Sequence, residues 1–273
     1  MDWRAWSDEE RERQVSPSSM IGGDYGPFIE RYFADSESSV AALEPLGVVT
    51  LDFARDDSGY PVDVFLPPAP GGPILVYIHG GYWQELSRTF SRFAAKALHE
   101  RGWGCVVVGY PLAPQATIDT MIEVCAGALR WTRTMLQPGA LVVCGSSAGA
   151  HLAACAATEP DVSVDGLVLF SGVFDLEPLV GTSVNATLAL CPDEAATLSP
   201  MNRAPNPAPT FVSWGENETP WFASMSTTYA YYLRTHGVAV TTHEAFRRNH
   251  FNIVHDLQDP RSAVTQWLNQ LRD

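Results

Sequence analysis

Four separated stretches of this 273-residue chain carry residue types that together can attack a carbonyl carbon. The pentapeptide Gly145-Ser146-Ser147-Ala148-Gly149 follows the apolar run Ala140-Leu141-Val142-Val143-Cys144 and precedes the Ala-rich run Ala150-His151-Leu152-Ala153-Ala154-Cys155. A strand, a glycine-flanked serine and a helix former in that order describe a nucleophile elbow, a sharp turn that exposes the serine at its tip. Ser147 is that serine. Between two polar segments the same five residues would be only a turn, so the flanks carry the chemical reading.

A serine hydroxyl attacks well only when a base takes its proton and an acid orients that base. The histidines after Ser147 are His151, His236, His243, His250 and His255. His151 lies one turn along the elbow helix and is expected to point away from the serine. His236 precedes Gly237 at a helix end, a capping position. His243 ends a β segment and His255 begins the final helix. His250, in Arg247-Arg248-Asn249-His250-Phe251-Asn252, falls between the last strand and the last helix. That places it over the carboxyl edge of a sheet, where ligands bind in such folds. It is the expected base.

The acid is expected just after the strand-like run at 210–214, in Trp214-Gly215-Glu216-Asn217-Glu218-Thr219-Pro220. Glu216 and Glu218 both qualify by chemistry, and either could simply be a loop carboxylate near a helix N-terminus. Glu218 is preferred, because the chain needs a few residues of turn before a side chain can reach back. Asp175 and Asp256 are outside candidates.

The fourth stretch, Tyr77-Ile78-His79-Gly80-Gly81-Tyr82-Trp83, ends another apolar run. Its glycines let backbone approach a substrate closely. The N–H groups of Gly80, Gly81 or Tyr82, with that of Ala148, could converge on a developing oxyanion. Tyr82 and Trp83, with Ser146 beside the nucleophile, are the expected substrate contacts. For Trp83, packing beneath the loop is an equal alternative.

The elements that must position these residues alternate along the chain. A polar, helical lead-in at 8–32 is broken by Ser16-Pro17-Ser18-Ser19 and Gly22-Gly23. Its Ser18 and Tyr25 could line a pocket or merely pack, and the segment 1–45 is expected to contribute to a pocket or cap. Strands are expected at 48–53, 62–66, 73–78, 105–108, 140–144, 167–170, 210–214 and 238–242. Helices are expected at 87–101, 118–136 and 221–234, after the elbow, and through Val264, Trp267, Leu268 and Leu271. Strand–helix alternation of this kind implies one α/β domain over 1–273, with a mostly parallel sheet and helices on both faces.

Composition narrows the partners. A net charge of −14 argues against nucleic acid and anionic membrane surfaces. No run reaches membrane-spanning length, and the charged N-terminus lacks an apolar signal core. Five cysteines without a C-x-x-C pair fit a reduced, cytoplasmic protein. No zinc-type Cys/His spacing, phosphate loop or G-x-G-x-x-G is present, so no metal or other cofactor is expected. A small-molecule amide or ester is the expected partner, with a homodimer left open.

On these residues the chain resembles the α/β-hydrolase superfamily and, within it, the kynurenine formamidase (arylformamidase) group. His79-Gly80-Gly81-Tyr82-Trp83 is similar to that group's oxyanion-hole signature, and Asn249-His250-Phe251 to its histidine loop. Gly109-Tyr110-Pro111-Leu112-Ala113-Pro114 and Ser171-Gly172-Val173-Phe174-Asp175-Leu176 resemble its segments after two of the strands. Glu216-Asn217-Glu218 aligns with the acid loop, whose last member takes the triad role in the group, usually as aspartate. Where the group usually has histidine before the nucleophile, this chain has Ser146. The resemblance implies an α/β-hydrolase fold and a cofactor-free serine hydrolase, with an N-formyl arylamine such as N-formylkynurenine as substrate. A carboxylesterase or biosynthetic hydrolase could use the same machinery on another acyl compound. A non-catalytic binding protein of this fold is the alternative from another class.

Overall fold

The apolar runs become the strands of one eight-stranded sheet, in a computed structural model that describes residues 3–54 and 59–271. Met1 and Asp2, part of the charged N-terminus, lie outside the described residues. The strands are β1 (Val49–Phe53), β2 (Val62–Phe65), β3 (Ile74–Ile78), β4 (Gly104–Val108), β5 (Leu141–Ser146), β6 (Gly166–Phe170), β7 (Thr210–Asn217) and β8 (Val240–Asn249). They are ordered β1-β2-β4-β3-β5-β6-β7-β8, and β2 alone runs against the others. This is the expected α/β architecture.

Period-two alternation explains why the inner strands are apolar throughout. In β3, Ile74, Val76 and Ile78 face one layer of helices, while Leu75 and Tyr77 face the other. The first layer contains α4 (Ile118–Trp131), α5 (Ala148–Ala156) and α8 (Pro220–Thr235). The second contains α2 (Gly26–Leu43), α3 (Ala95–Glu100) and α9 (Ala263–Gln270). The short helices α1 (Asp8–Val15), α6 (Asn185–Leu188) and α7 (Pro192–Leu198) complete the set. Both faces of a central strand are covered, so each Val, Leu or Ile there contributes roughly 1.5–3 kcal/mol by leaving water.

Topology then selects one place for a site. The chain steps from β3 to β4 on one side and returns to β5 on the other, so strand order reverses between β3 and β5. Such a switch point opens a crevice at the carboxyl ends of the strands. Ile78 pairs with Gly145 across it, which sets the loop after β3 level with the turn after β5.

Several local expectations change. The stretch 87–101 is not one helix: a 3-10 turn spans Arg88–Phe90 and α3 covers only Ala95–Glu100. Arg88 and Arg92 both reach the fully buried Asp63 of β2. The last strand is longer than expected and carries His243 within it, delivering the chain directly to His250. His255 lies in a buried 3-10 turn, Ile253–Leu257, ahead of α9, whose N-cap is Ser262. In the lead-in, α2 continues past Tyr32 to Leu43. Its buried face (Tyr32, Ser36, Ser39, Val40, Leu43) extends the helix, at i, i+3 and i+4 spacings.

Candidate active site

Ser147 is the N-cap of α5 and takes φ 56° and ψ −122°, a backbone conformation rarely adopted by a side-chain-bearing residue. The turn that holds it is made possible by contact distances. A Cβ on Gly149 would stand 2.1 Å from the Ile78 carbonyl oxygen and 2.5 Å from that of His79. One on Gly80 would stand 2.8 Å from the Ser146 carbonyl oxygen and 3.2 Å from the Ser147 Cβ. The elbow and the His79-Gly80-Gly81 loop therefore press on each other through bare backbone. The Ser147 N–H donates to the Phe170 carbonyl at 2.8 Å, tying the turn to β6.

Ala148 is the first residue of α5, so its N–H lacks an intrahelical partner and points out at the positive end of the helix. Across the crevice, Gly81 at φ 97° and Tyr82 at φ 48° form a tight turn whose Gly81 carbonyl accepts from the Gln84 and Glu85 N–H groups. Among the described residues, the Gly81 and Tyr82 N–H groups donate to no backbone carbonyl. The turn is braced from below by His79. Its ring stacks on Tyr110 at 4.2 Å, and the Tyr110 hydroxyl donates to the His79 carbonyl at 2.8 Å. Burial holds the His79 imidazole pKa down at about 4, so it braces the loop as a neutral ring.

His250 and Glu218 meet as expected from the sequence. The His250 Nδ1 lies 2.9 Å from Glu218 Oε2. The other carboxylate oxygen, Oε1, accepts from the Ser171 hydroxyl and from the Gly215 N–H, each at 2.5 Å. The Glu218 side chain is 1% exposed, and three hydrogen bonds compensate the burial of its charge. Phe222 packs against the imidazole at a centroid distance of 4.2 Å. Glu216, two residues earlier, projects outward and accepts from the Arg247 N–H. Asp256 pairs with Arg248, and Asp175 accepts from the Glu177 N–H. Neither joins the histidine.

Ser147, His250, Ser146, Gly80, Gly81 and Tyr82 all line one cavity of about 290 Å3. Trp83 does not. Its ring is fully buried with its neighbour His151 edge-on at 5.1 Å, so its expected role as a substrate contact is replaced by packing beneath the loop. Both Tyr82 and Trp83 sit at left-handed φ, and their rings lie 6.0 Å apart, with Trp83 the buried member and Tyr82 the one on the cavity. His151 points away from the cavity, with Nε2 2.9 Å from the Leu198 carbonyl, and His236 caps α8.

Sequence reasoning, which placed the 1–45 segment at a pocket or cap and left Ser18 and Tyr25 open, did not reach the contacts by which it meets the cavity. Tyr25 and Phe28, from the lead-in, flank the ring of Phe251, each at 5.5 Å, beside His250. The Tyr32 hydroxyl donates to the Phe251 carbonyl. Tyr82 donates to the Val15 carbonyl, and Thr219 to that of Gln14, so α1 bridges the oxyanion loop and the acid loop. Ser18 and Tyr25 line the cavity wall. The one available signal was aromatic: Tyr25, Phe28 and Tyr32 recur at helical spacing in an otherwise polar segment.

Among the described residues, no group of three or more His, Cys, Asp or Glu side chains could hold a metal ion, and no helix is long and apolar enough to cross a membrane. A family model described as the alpha/beta hydrolase fold matches residues 75–203. The kynurenine formamidase of Danio rerio is 31% identical over 98% of this chain and 97% of its own. That of Salmo salar is 31% identical over 97% of each. Among solved structures, a Pyrobaculum calidifontis esterase superimposes with a TM-score of 0.72 at 22% identity, covering 97% of this chain and 96% of its own. The carboxylesterase EstE1 does so with 0.70 at 20% identity, covering 92% and 98%. These two share the fold. With near-complete overlap on the fish enzymes, the chain belongs to the kynurenine formamidase family of α/β-hydrolases.

Proposed function

We propose that this hydrolase cleaves an N-formyl arylamine, such as N-formylkynurenine, through a formyl-enzyme on Ser147. The observation that carries the reading is the Glu218–His250 pair opening onto the same cavity as a serine held at the tip of an elbow. As the Ser147 oxygen attacks the formyl carbon, its proton passes to His250 Nε2. Glu218 holds the imidazole by its other nitrogen and stabilises the imidazolium. The N–H groups of Gly81, Tyr82 and Ala148 receive the oxyanion, and each such donor typically contributes about 100-fold or more in rate. Collapse breaks the C–N bond as His250 protonates the leaving aniline nitrogen. Water, deprotonated by His250, then releases formate and restores Ser147.

Two measurements test this. A fluorophosphonate probe should label the wild type and leave Ser147→Ala unlabelled; equal labelling would refute the nucleophile. Turnover of N-formylkynurenine compared with p-nitrophenyl acetate tests the acyl group. Rapid ester hydrolysis with no formamide hydrolysis would move the protein to the carboxylesterase reading.

A further inference from the structure

The wall of the cavity offers carboxylate acceptors and no cationic donor. Among the described residues, no lysine or arginine lines it, and of its two histidines one braces a loop and the other is paired with Glu218. Most side-chain donors on the wall already serve protein acceptors. Tyr32 donates to the Phe251 carbonyl, Tyr82 to Val15, Gln84 to Val184 and Ser91 to Ser87. The Ser183 N–H and hydroxyl both donate to Glu12. Two carboxylates, Glu12 and Glu85, belong to the wall; both oxygens of Glu12 are taken by Ser183, whereas Glu85, among the described residues, accepts only from the Tyr25 hydroxyl.

Glu85 is the better placed of the two. Its N–H closes the oxyanion turn on the Gly81 carbonyl, so its Cα lies within one turn of the proposed oxyanion donors. Its carboxylate accepts from the Tyr25 hydroxyl at 3.3 Å, and Tyr25 stacks on Phe251 next to His250. Glu85 therefore stands at the mouth, between the loop that holds the oxyanion and the loop that carries the base. The chain's net charge of −14 adds a field of the same sign.

A bound carboxylate needs a cation or several free N–H and O–H donors to replace its hydration. An ammonium needs an acceptor, and the carboxylate of Glu85 supplies one. We infer that the substrate portion remote from the formyl group carries an ammonium and no obligatory carboxylate, with the ammonium recognised by Glu85. The inference rests on the formamidase reading and specifies its substrate class: an aryl formamide with a basic side chain.

The test uses three ortho-acyl formanilides that differ only in side chain: one zwitterionic (N-formylkynurenine), one with the amine alone, one with the carboxylate alone. The amine-only compound should exceed the carboxylate-only compound in kcat/KM by about tenfold or more at low salt, and the ratio should shrink as salt screens the charges. In Glu85→Gln, whose side chain is solvent-exposed and outside the core, that ratio should fall about fivefold. A carboxylate-only compound that equals or exceeds the amine-only one in wild type, or an unchanged ratio in E85Q, overturns the inference. If no formanilide is cleaved, the formamidase reading has failed, and the charge preference is then read from ring-substituted phenyl acetates bearing an ammonium or a carboxylate. Equal turnover of those two esters overturns the inference on its own.

Discussion

The elbow and the mouth of the cavity are built by opposite means. At the elbow, backbone packs on backbone: β3, β5 and the first turn of α5 approach so closely that glycine is the only residue with room. At the mouth, contact is made by side chains from distant parts of the chain, with Tyr25, 37% exposed, stacked on Phe251 across more than two hundred residues. The first arrangement is set within a few residues and leaves no freedom. The second depends on the lead-in docking against a finished sheet. On the function proposed above, chemistry falls to the rigid part and substrate contact to the part built from distant side chains.

The largest effect should come from forcing a methyl into the elbow. In Gly149→Ala the new Cβ would press on two backbone carbonyls of the β3 end, which cannot rotate away. Overpacking of this kind costs about 1–3 kcal/mol or more. Ester turnover should fall beyond detection and the melting temperature should drop by several degrees, roughly 2–4 °C per kcal/mol for a chain of this size. A variant that melts and turns over like wild type would show that the elbow is not as tight as its contacts imply.

The next comparison lies inside the acid loop. Glu218→Gln leaves the shape but removes the charge that stabilises the imidazolium, so kcat should fall roughly 100- to 10,000-fold. Glu216→Gln, which touches only the Arg247 N–H at the surface, should stay within about twofold. Steady-state kinetics on p-nitrophenyl acetate measure both. Equal losses would remove the distinction between the two carboxylates.

That distinction also shows where sequence reasoning stops. The elbow could be read because its determinants are local: a continuous apolar run, a glycine on each side, a helix former after it. His250 could be read from its place between the last strand and helix. Glu218 rested on an argument about reach, and the structure adds what no spacing encodes: Ser171, from the end of a different strand, and the Gly215 N–H both hold its second oxygen. Trp83 could not be assigned, because at left-handed φ the side chain's direction is decided by the turn and not by its neighbours in sequence. The 87–101 segment showed helical spacing, yet only Ala95–Glu100 is α-helix, and no local pattern announced that Arg88 and Arg92 would both pair with the buried Asp63, some 25 residues upstream.

Ser171→Ala sharpens the point at smaller magnitude. One of two donors on Glu218 Oε1 would be lost while Gly215 keeps the other. A hydrogen bond to a charged group is worth about 1.5–3 kcal/mol, and partial compensation by Gly215 should leave a loss of about tenfold in kcat. KM should not move, because Ser171 does not line the cavity. A change confined to KM would contradict a positioning role for this hydroxyl.

The smallest chemical effect should come from the mouth itself. Phe251→Ala removes the ring between Tyr25 and Phe28, two contacts of about 0.5–1.5 kcal/mol each. The lead-in would lose its grip on the cavity wall, although Tyr32 would still bond the backbone of residue 251. His250 would lose only the edge contact of the Phe251 ring at 5.7 Å and would keep the Glu218 carboxylate and the Phe222 ring. Turnover of p-nitrophenyl acetate should therefore stay within about threefold, while KM for an aryl formamide should rise about fivefold as its aromatic wall loosens. If kcat on the small ester instead falls as far as in Glu218→Gln, the stack is holding the base as well as the substrate. The mouth would then belong to the catalytic frame, and the division between rigid chemistry and substrate contact would have to be redrawn through residue 251.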